Sequence, residues 1–441
     1  MAILLQLEVN FLLVYILNKD NKPLMPCSSR KARLLLKEGK AVVVKRTPFT
    51  IKLKYGSSNY RQPVNLGIDI GSKVVGLSAT TEKKELYAAE LHLRNDIVNL
   101  LSTRKQYRRA RRSRLHYRKA RFLNRVKSKQ KGWIAPSIEN KIDSHIKMIE
   151  NIHKILPISK IIVETAKFDI QRIKNPEIKG IEYQQGEQLG FYNVREYVLW
   201  RDGYKCRGRK GCKNKKIRAH HIISRKFGGD RPENFLSLCK ECHNLYHEGK
   251  LKLDIKKKYG FRDATHVNIM RLELIKRLKE KYSNIKETYG YITKFNRIER
   301  GLEKSHINDA RCISNNLRVK KLNYYFYIKK VRCHNRQIHK AMILKEGKKR
   351  LNQAPYIVHG FRLFDKVKYN DIECFVFGRR QSGYFNLRKL DGKDIRKSVS
   401  FKKLNLLEVK TNFLIERNKY SDLKRCEEYK YHNTPKGEIY L

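Results

Sequence analysis

Acidic residues are scarce in this sequence. The 441 residues include 42 Asp and Glu against 100 Lys and Arg, which gives a formal net charge of +58. An excess of this size would repel itself in a compact fold, and a basic surface needed only for solubility would require far less charge. The basic residues run through every segment. We therefore expect a large polyanionic partner that the chain envelops.

Long apolar runs are also absent. No segment reaches the roughly eighteen apolar residues that a membrane helix needs. The apolar first seventeen residues are interrupted by Glu8 and Asn10, and they lack the basic start and small-residue cleavage site of a signal peptide. The nine cysteines are unevenly spaced, with four of them between positions 206 and 242, unlike a secreted disulfide framework. These absences predict a cytoplasmic protein with no membrane segment.

Three consecutive strands are predicted at 64–70, 74–80 and 85–93. In the first, Leu66, Ile68 and Ile70 share one face, while Asp69 points the other way between Gly67 and Gly71. The two glycines leave this carboxylate without a flanking side chain that could block a metal or a phosphate. A helix at 138–155 and a strand ending at Glu164 follow. This order is typical of an RNase H-like fold within an α+β or α/β multidomain protein.

The remaining segments divide into small units. Residues 12–60 are predicted to form a βαββ unit whose helix is capped by Ser28 or Ser29 and ends before Gly39. Lys-rich helices are predicted at 252–259 and 266–289. Short strands at 356–362, 373–379 and 384–388, separated by turn residues, suggest a small β-barrel.

Asp69, Glu164 and Asp309 are far apart in the sequence, but an RNase H-like fold would bring them to one sheet edge. Carboxylates placed together can hold two Mg²⁺ ions that activate water and stabilise the leaving oxygen of a phosphodiester. His306 lies one helical turn before Asp309, so both would project from one helix face.

A second set of candidate residues lies between Glu164 and His306. In Ala219-His220-His221, neighbouring residues of an extended segment face opposite sides, so one histidine can bind a metal while the other activates water. His243 and His247 are four residues apart, as two ligands of one cation on a helix would be. Asn234, in a Pro-Glu-Asn turn, can hold the loop that carries the general base.

Two cysteine pairs flank these histidines. Cys206 and Cys212 are separated by five residues, and Cys239 and Cys242 by two. Four thiolates around Zn²⁺ would stabilise a module too small to fold on its core alone. The first spacing is longer than that of a common zinc knuckle, and four free or buried thiols are the alternative.

A run from Arg104 to Lys127 holds twelve basic residues and no acidic one. Its residues recur at helical spacing, and mutual repulsion would leave such a helix unstable alone. We therefore expect it to lie against RNA or a heteroduplex, with these arginines on the phosphates: Arg104, Arg108, Arg109, Arg111, Arg112, Arg114, Arg118, Arg121 and Arg125.

These patterns resemble known nucleases. The His-His, Asn, His order resembles the ββα-metal finger of HNH nucleases, and the three carboxylate segments resemble a split RuvC domain. Pro23-Leu24-Met25-Pro26, Gly180-Ile181-Glu182-Tyr183-Gln184-Gln185-Gly186 and the tail motif at 378–384 resemble the IscB family, relatives of the type II CRISPR nucleases. The resemblance implies these parts: PLMP domain 1–60; RuvC pieces 61–93, 131–175 and, with linker helices, 251–320; Arg-rich bridge helix 94–130; linker 176–190; HNH domain 191–250; basic RNA-interacting segment 321–355; and C-terminal domain 356–441.

The resemblance also implies an activity. His221 would be the general base, His220, His243 and His247 would bind one Mg²⁺, and Asn234 would orient the loop. A monomeric ribonucleoprotein with an omega guide RNA would cut double-stranded DNA beside a short adjacent motif. HNH would cut the guide-paired strand and RuvC the displaced strand. The alternatives are a guide-independent nuclease, like a homing endonuclease or junction resolvase, and a guide-directed DNA-binding protein without cleavage.

Overall fold

The computed structural model describes most of the chain. The described residues are 12–58, 60–112, 133–165, 177–179, 182, 184–209, 211–223, 229–253, 262–316, 319–332, 340–341, 349–350 and 355–420. They form a mixed α/β multidomain structure with several sheets, as the sequence predicted. The chain divides into two compact units, one comprising Met1–Ala166 with Ile269–Leu441 and the other Lys167–Asn268. The second unit is therefore an insertion in the first.

The N-terminal residues form a small sheet with one helix. Its elements are β1 (Leu13–Leu17), β2 (Cys27–Ser28), α1 (Ser29–Lys37), β3 (Ala41–Lys45) and β4 (Thr50–Leu53), in the strand order β2-β1-β4-β3. The Ser28 hydroxyl accepts a hydrogen bond from the amide of Lys31 and caps α1. Gly39 follows the helix with a φ of +69°, a conformation that favours glycine. The predicted βαββ unit is present, with the short β2 in addition.

The next elements contain the first three predicted strands. They are β5 (Asn65–Asp69), β6 (Val74–Thr80), β7 (Glu85–His92), α2 (Ile97–Arg112), α3 (Pro136–His153) and β8 (Lys160–Glu164). The strands β5, β6 and β7 pair antiparallel in sequence order, whereas β8 pairs parallel to β5. Leu66 and Ile68 of β5 are fully buried, as their alternation predicted.

The inserted unit contains a two-stranded sheet between helices. Its elements are α4 (Val194–Arg201), β9 (Ile217–His221), β10 (Phe235–Cys239) and α5 (Lys240–His247), and a 3₁₀ turn at Pro232–Asn234 precedes β10. β9 and β10 are antiparallel, with His221 opposite Phe235 and His220 opposite Leu236.

The chain then passes through α6 (Arg262–Lys281), β11 (Ile285–Thr288), α7 (Gly290–Glu299), α8 (His306–Ile313) and β12 (Tyr324–Lys330). The predicted helix at 266–289 is wrong at its end, because 285–288 is a strand parallel to β8. The side-chain amide of Asn284 donates to the carbonyl of Ser159 just before β8, and the conformation of residues 285–288 is set by their pairing with β8. The predicted helix at 252–259 lies mostly outside the described residues.

The tail contains β13 (Lys340–Ala341), β14 (Lys349–Arg350), β15 (Lys366–Tyr369), β16 (Ile372–Arg379), β17 (Tyr384–Arg388), β18 (Asp394–Ser400), β19 (Asn405–Glu408) and β20 (Phe413–Lys419). Five of these form an antiparallel sheet in the order β18-β17-β16-β15-β19. A closed barrel requires its outer strands to pair. In the described part of the tail β18 and β19 are the two edges, so the sheet is open where a small barrel was expected. The predicted strand at 356–362 is reduced to one bridge between Val358 and Phe361.

The central sheet has seven strands in the order β11-β8-β5-β6-β7-β12-β20. Its core includes residues of β5 to β8, of α3 and α6, and of β12. None of the described helices combines the length and the apolar character needed to cross a membrane.

Two candidate metal centres

The first centre lies at the carboxyl ends of two adjacent parallel strands. Asp69 is the last residue of β5 and Glu164 is the last residue of β8. His306 and Asp309 belong to the first turn of α8, whose N-cap Ser305 accepts a hydrogen bond from the amide of Asn308. The structure thus brings together all four residues that the sequence assigned to this centre.

Two glycines allow α8 to lie against the sheet. A Cβ atom added at Gly67 would lie 2.1 Å from the carbonyl oxygen of Ala310, and one added at Gly76 would lie 1.9 Å from that of His306. The sequence suggests that Gly67 leaves open space around Asp69. The structure corrects this explanation, because the missing side chain makes room for the backbone of α8. Close packing of this helix is what carries His306 and Asp309 to the strand ends.

Each carboxylate has a polar partner in the first unit. Nδ1 of His306 lies 2.7 Å from Oδ2 of Asp69, and the Arg297 guanidinium donates to Oδ1 of Asp309 at 2.8 Å. Arg297 belongs to α7, which follows β11 directly. A hydrogen bond from Thr293, also on α7, reaches Glu164. Sheet and helices together therefore orient every acid of the centre.

The carboxylates interact electrostatically. Burial, followed by the negative charge of Asp69, raises the pKa of Glu164 from 4.5 to about 7. Burial and Asp69 also raise the pKa of Asp309. Burial opposes protonation of His306, but its hydrogen bond to Asp69 outweighs this effect, so its pKa is raised. The carboxylates of this centre repel one another when they are ionised together. A divalent cation bound between them would offset this repulsion. This donor set fits Mg²⁺.

The second centre lies in the inserted unit. The side chains of His220, His243 and His247 bring their ring nitrogens within 4.8 Å of one another. Burial, followed by the three neighbouring histidines, lowers the pKa of His220 to about 4. Its buried Nε2 atom has no hydrogen-bond partner among the described residues. Imidazole nitrogens are preferred ligands of divalent transition metals, so these residues fit such a cation.

His221 faces away from this histidine cluster. Its Nε2 atom lies 2.9 Å from Oδ1 of Asp230, and its ring packs on Phe235 with centroids 4.1 Å apart. The alternation of β9 separates it from His220, which contacts α5. Asn234 is buried nearby. Its Nδ2 atom donates to the carbonyls of Ile223 and Gly229, and its Oδ1 atom accepts from the amide of Ile223, so it joins both ends of the loop between them.

The four cysteines form a third group beside the hairpin. Cys206, Cys212, Cys239 and Cys242 bring their sulfur atoms within 4.8 Å of one another. Sγ of Cys212 lies 3.8 Å from that of Cys239 and 4.0 Å from that of Cys242. A tetrahedral site with Zn–S bonds of about 2.3 Å has sulfur atoms about 3.8 Å apart. The cluster is therefore compatible with zinc.

The loop of the first cysteine pair passes close to the second pair. A Cβ atom added at Gly208 would lie 2.6 Å from Cβ of Cys242, so only glycine fits where the loop passes the second pair. The amides of Gly208 and Cys239 donate to Sγ of Cys206. Two backbone N–H donors to one sulfur are typical of the hydrogen bonds that orient a cysteine ligand of a metal.

The Arg-rich helix is described in part. Its helix α2 begins at Ile97, and Arg104, Arg108 and Arg109 are exposed on it. The side chains of Arg111 and Arg112 are not described, and Arg114, Arg118, Arg121 and Arg125 lie outside the described residues. Binding of nucleic acid by these arginines stays a prediction.

Three residues that contact the two centres were missing from the sequence-based set. Thr293 and Arg297 approach the first centre, and Asp230 approaches the second. The spacing of Thr293 and Arg297, one helical turn apart shortly before His306, was the available signal. This spacing alone could not identify the two residues, because the sequence does not show that α7 starts beside Glu164.

These features define a multidomain α/β protein with a carboxylate–histidine centre, a three-histidine cluster and a four-cysteine cluster. Residues 14–186 match the model of the RRXRR protein family. Arg108-Arg109-Ala110-Arg111-Arg112, at the end of α2, spells this pattern. The match fits the resemblance to the IscB family.

A short stretch is also similar to a curated protein. Over 43 residues the chain is 44% identical to anaredoxin from a Nostoc species. The match covers 10% of this chain and 57% of anaredoxin. The chain therefore spans little more than half the length of that relative.

Proposed function

We propose that this protein is an RNA-guided DNA endonuclease of the IscB type, with one hydrolytic centre for each DNA strand. The observation that carries the proposal is the presence of two separate groups of cation-binding side chains. One holds Asp69 and Glu164 with the α8 residues, and the other holds the three histidines beside His221. The RRXRR match over residues 14–186 is compatible with an HNH-type nuclease relative.

The strand order supports a RuvC domain. Three antiparallel strands followed by two parallel strands on the other side of the first, as in β11-β8-β5-β6-β7, is the arrangement of an RNase H-like fold. The acids at the ends of β5 and β8 and on α8 would be the metal ligands of such a domain. The inserted hairpin and α5 would be the ββα-metal finger of an HNH nuclease.

At the first centre, Asp69, Glu164 and Asp309 would hold two Mg²⁺ ions. Those ions would supply a polarised phosphate and a water of lowered pKa. His306 orients the Asp69 carboxylate through its 2.7 Å hydrogen bond. Arg297 holds Asp309 through its 2.8 Å hydrogen bond and offsets part of the negative charge of the centre. Thr293 orients the Glu164 carboxylate through a side-chain hydrogen bond.

At the second centre, His220, His243 and His247 would hold one divalent cation, which would stabilise charge on the leaving oxygen. His221 accepts the proton of the attacking water. With Nε2 held by Asp230, its Nδ1 atom is the one left to act as base. Asn234 holds Ile223 and Gly229 close together, so that His221 and Asp230 stay within hydrogen-bond distance.

The partners follow from the charge. The net charge of +58 suits both a long structured guide RNA and a DNA duplex. The guide would select the target by base pairing, and the protein would hold the heteroduplex by its backbone. The tail sheet would read a short motif beside the target.

Sequencing the RNA that copurifies with the chain tests this proposal, and changing the end of that RNA should redirect cutting. A guide-independent nuclease would cut the same sites without it.

Strand-specific labelling tests the assignment of the two centres. We expect Asp69→Ala to abolish cutting of the displaced strand only, and His221→Ala to abolish cutting of the paired strand only. Each variant is thus the control for the other. Loss of both cuts in either single variant would contradict two independent centres.

A further inference from the structure

The helix α7 has one face directed at the carboxylate centre. A Cβ atom added at Gly290 would lie 3.1 Å from Oε1 of Glu164, so the helix begins against this acid. Thr293 and Arg297 follow at helical spacing and bind Glu164 and Asp309. Because these contacts hold α7 against the carboxylate centre, the opposite face of the helix has a defined position beside that centre.

That opposite face is apolar and exposed. Tyr291, Phe295 and Ile298 recur four and three residues apart and are 72%, 67% and 64% exposed. Tyr289, just before the helix, is also exposed, and its ring is nearly parallel to that of Tyr291, with a 10° angle and centroids 6.0 Å apart. Isolated apolar residues on a surface need no explanation, but a contiguous group beside a reactive centre marks an interaction site.

The charges around this face indicate the partner. Lys294 is exposed on the same helix, between Tyr291 and Phe295 in the sequence. The whole chain carries a net charge of +58. A surface that binds an apolar protein partner would not need this positive charge. A polyanion that also offers flat aromatic faces matches both properties, and unpaired nucleotides are such a ligand, because their bases are free to stack on aromatic rings.

We propose that Tyr289, Tyr291 and Phe295 form a stacking platform for unpaired bases of the DNA strand that is cut at the Asp69–Glu164–Asp309 centre. This inference rests on the proposed function, since it names the substrate of that centre as a single strand. The platform holds the strand by its bases while Lys294 neutralises phosphate charge. Stacking of this kind tolerates any sequence, as a guide-directed enzyme requires.

Binding to matched oligonucleotides separates stacking from charge. The probes are a single-stranded oligothymidylate and an abasic strand of the same length, which carries the same phosphates but no bases. The full-length Asp69→Ala chain should prefer the first. Adding Tyr291→Ala and Phe295→Ala should lower this preference about tenfold, since one stacked base contributes roughly that factor. An unchanged preference overturns the platform.

Two control variants separate ring stacking from a general effect of substitution. Tyr291→Phe with Phe295→Tyr keeps both rings and should keep the preference, whereas loss of the preference in this pair would also overturn the proposal. Tyr192→Ala removes an exposed ring from the inserted unit and should have no effect. The binding assay needs no cleavage. If the wild-type chain shows the preference but never cuts a displaced strand, the proposed function fails while the platform stands.

Discussion

Removing the charge of Glu164 should stabilise the metal-free protein at alkaline pH. The folded state raises the pKa of this carboxyl from 4.5 to about 7, first by burial and then by the charge of Asp69. The folded protein therefore keeps the proton to a higher pH than the unfolded chain does. The wild-type protein loses stability as the pH rises from 4.5 through about 7, whereas Glu164→Gln has no proton to lose.

The magnitude follows from the size of this shift. A rise of the pKa from 4.5 to about 7 corresponds to about 3 kcal/mol at most, and solvent that reaches the carboxylate reduces it. The variant should therefore gain up to about 3 kcal/mol over the wild type near pH 8.5, but less than about 1 kcal/mol near pH 5. Mg²⁺ should restore stability to the wild type at alkaline pH and have less effect on the variant, because its amide is a weaker ligand.

Stability must be measured at the central sheet alone, because a chelator that makes the protein metal-free would also act on a metal held by the four cysteines of the inserted unit. Urea unfolding followed by hydrogen exchange in peptides from β5 and β8 does so. Glu299→Gln, an exposed position at the end of α7, is the matched control and should show the same difference from the wild type at both pH values. If Glu164→Gln also showed a pH-independent difference, the electrostatic description of this centre would be wrong.

Three other substitutions test the helix packing, the hydrogen-bond partner and the cysteine cluster of the candidate sites. Gly67→Ala should displace α8, cost about 1–3 kcal/mol in thermal unfolding and reduce displaced-strand cutting, whereas Gly56→Ala, where an added Cβ meets nothing within 4 Å, should do neither. Asp230→Asn should slow paired-strand cutting about tenfold or more, a part of what a general base contributes, and equal slowing of both strands would refute its role. Cys242→Ser should remove about one zinc ion per chain, measured by atomic absorption, and Cys27→Ser should remove none.

Local patterns predicted the elements that carry the first centre. The alternation of apolar residues predicted a strand in which Leu66 and Ile68 share one face and Asp69 lies on the other. The His-x-x-Asp spacing placed His306 and Asp309 in one helical turn, which α8 contains. Both patterns depend only on residues within a few positions, and such interactions are present in the sequence itself.

Contacts between distant segments could not be predicted in the same way. Residues 285–288 continued a helical pattern, yet they form β11 because β8 offers a free parallel edge. Thr293 and Arg297 carried no recognisable motif, and their importance arises only because α7 begins beside Glu164. The open tail sheet likewise depends on which strands pair, and turn residues do not specify that.

By itself the sequence determined the excess of positive charge, the candidate metal ligands and the separation of His220 from His221 by strand alternation. These properties follow from composition and from short-range geometry. Only the tertiary structure decided how close the acids lie, why Gly67 and Gly76 lack side chains, and which partners hold Asp309 and His221. Burial and the approach of charges from distant parts of the chain set the pKa values of the centre, and this proximity exists only after folding.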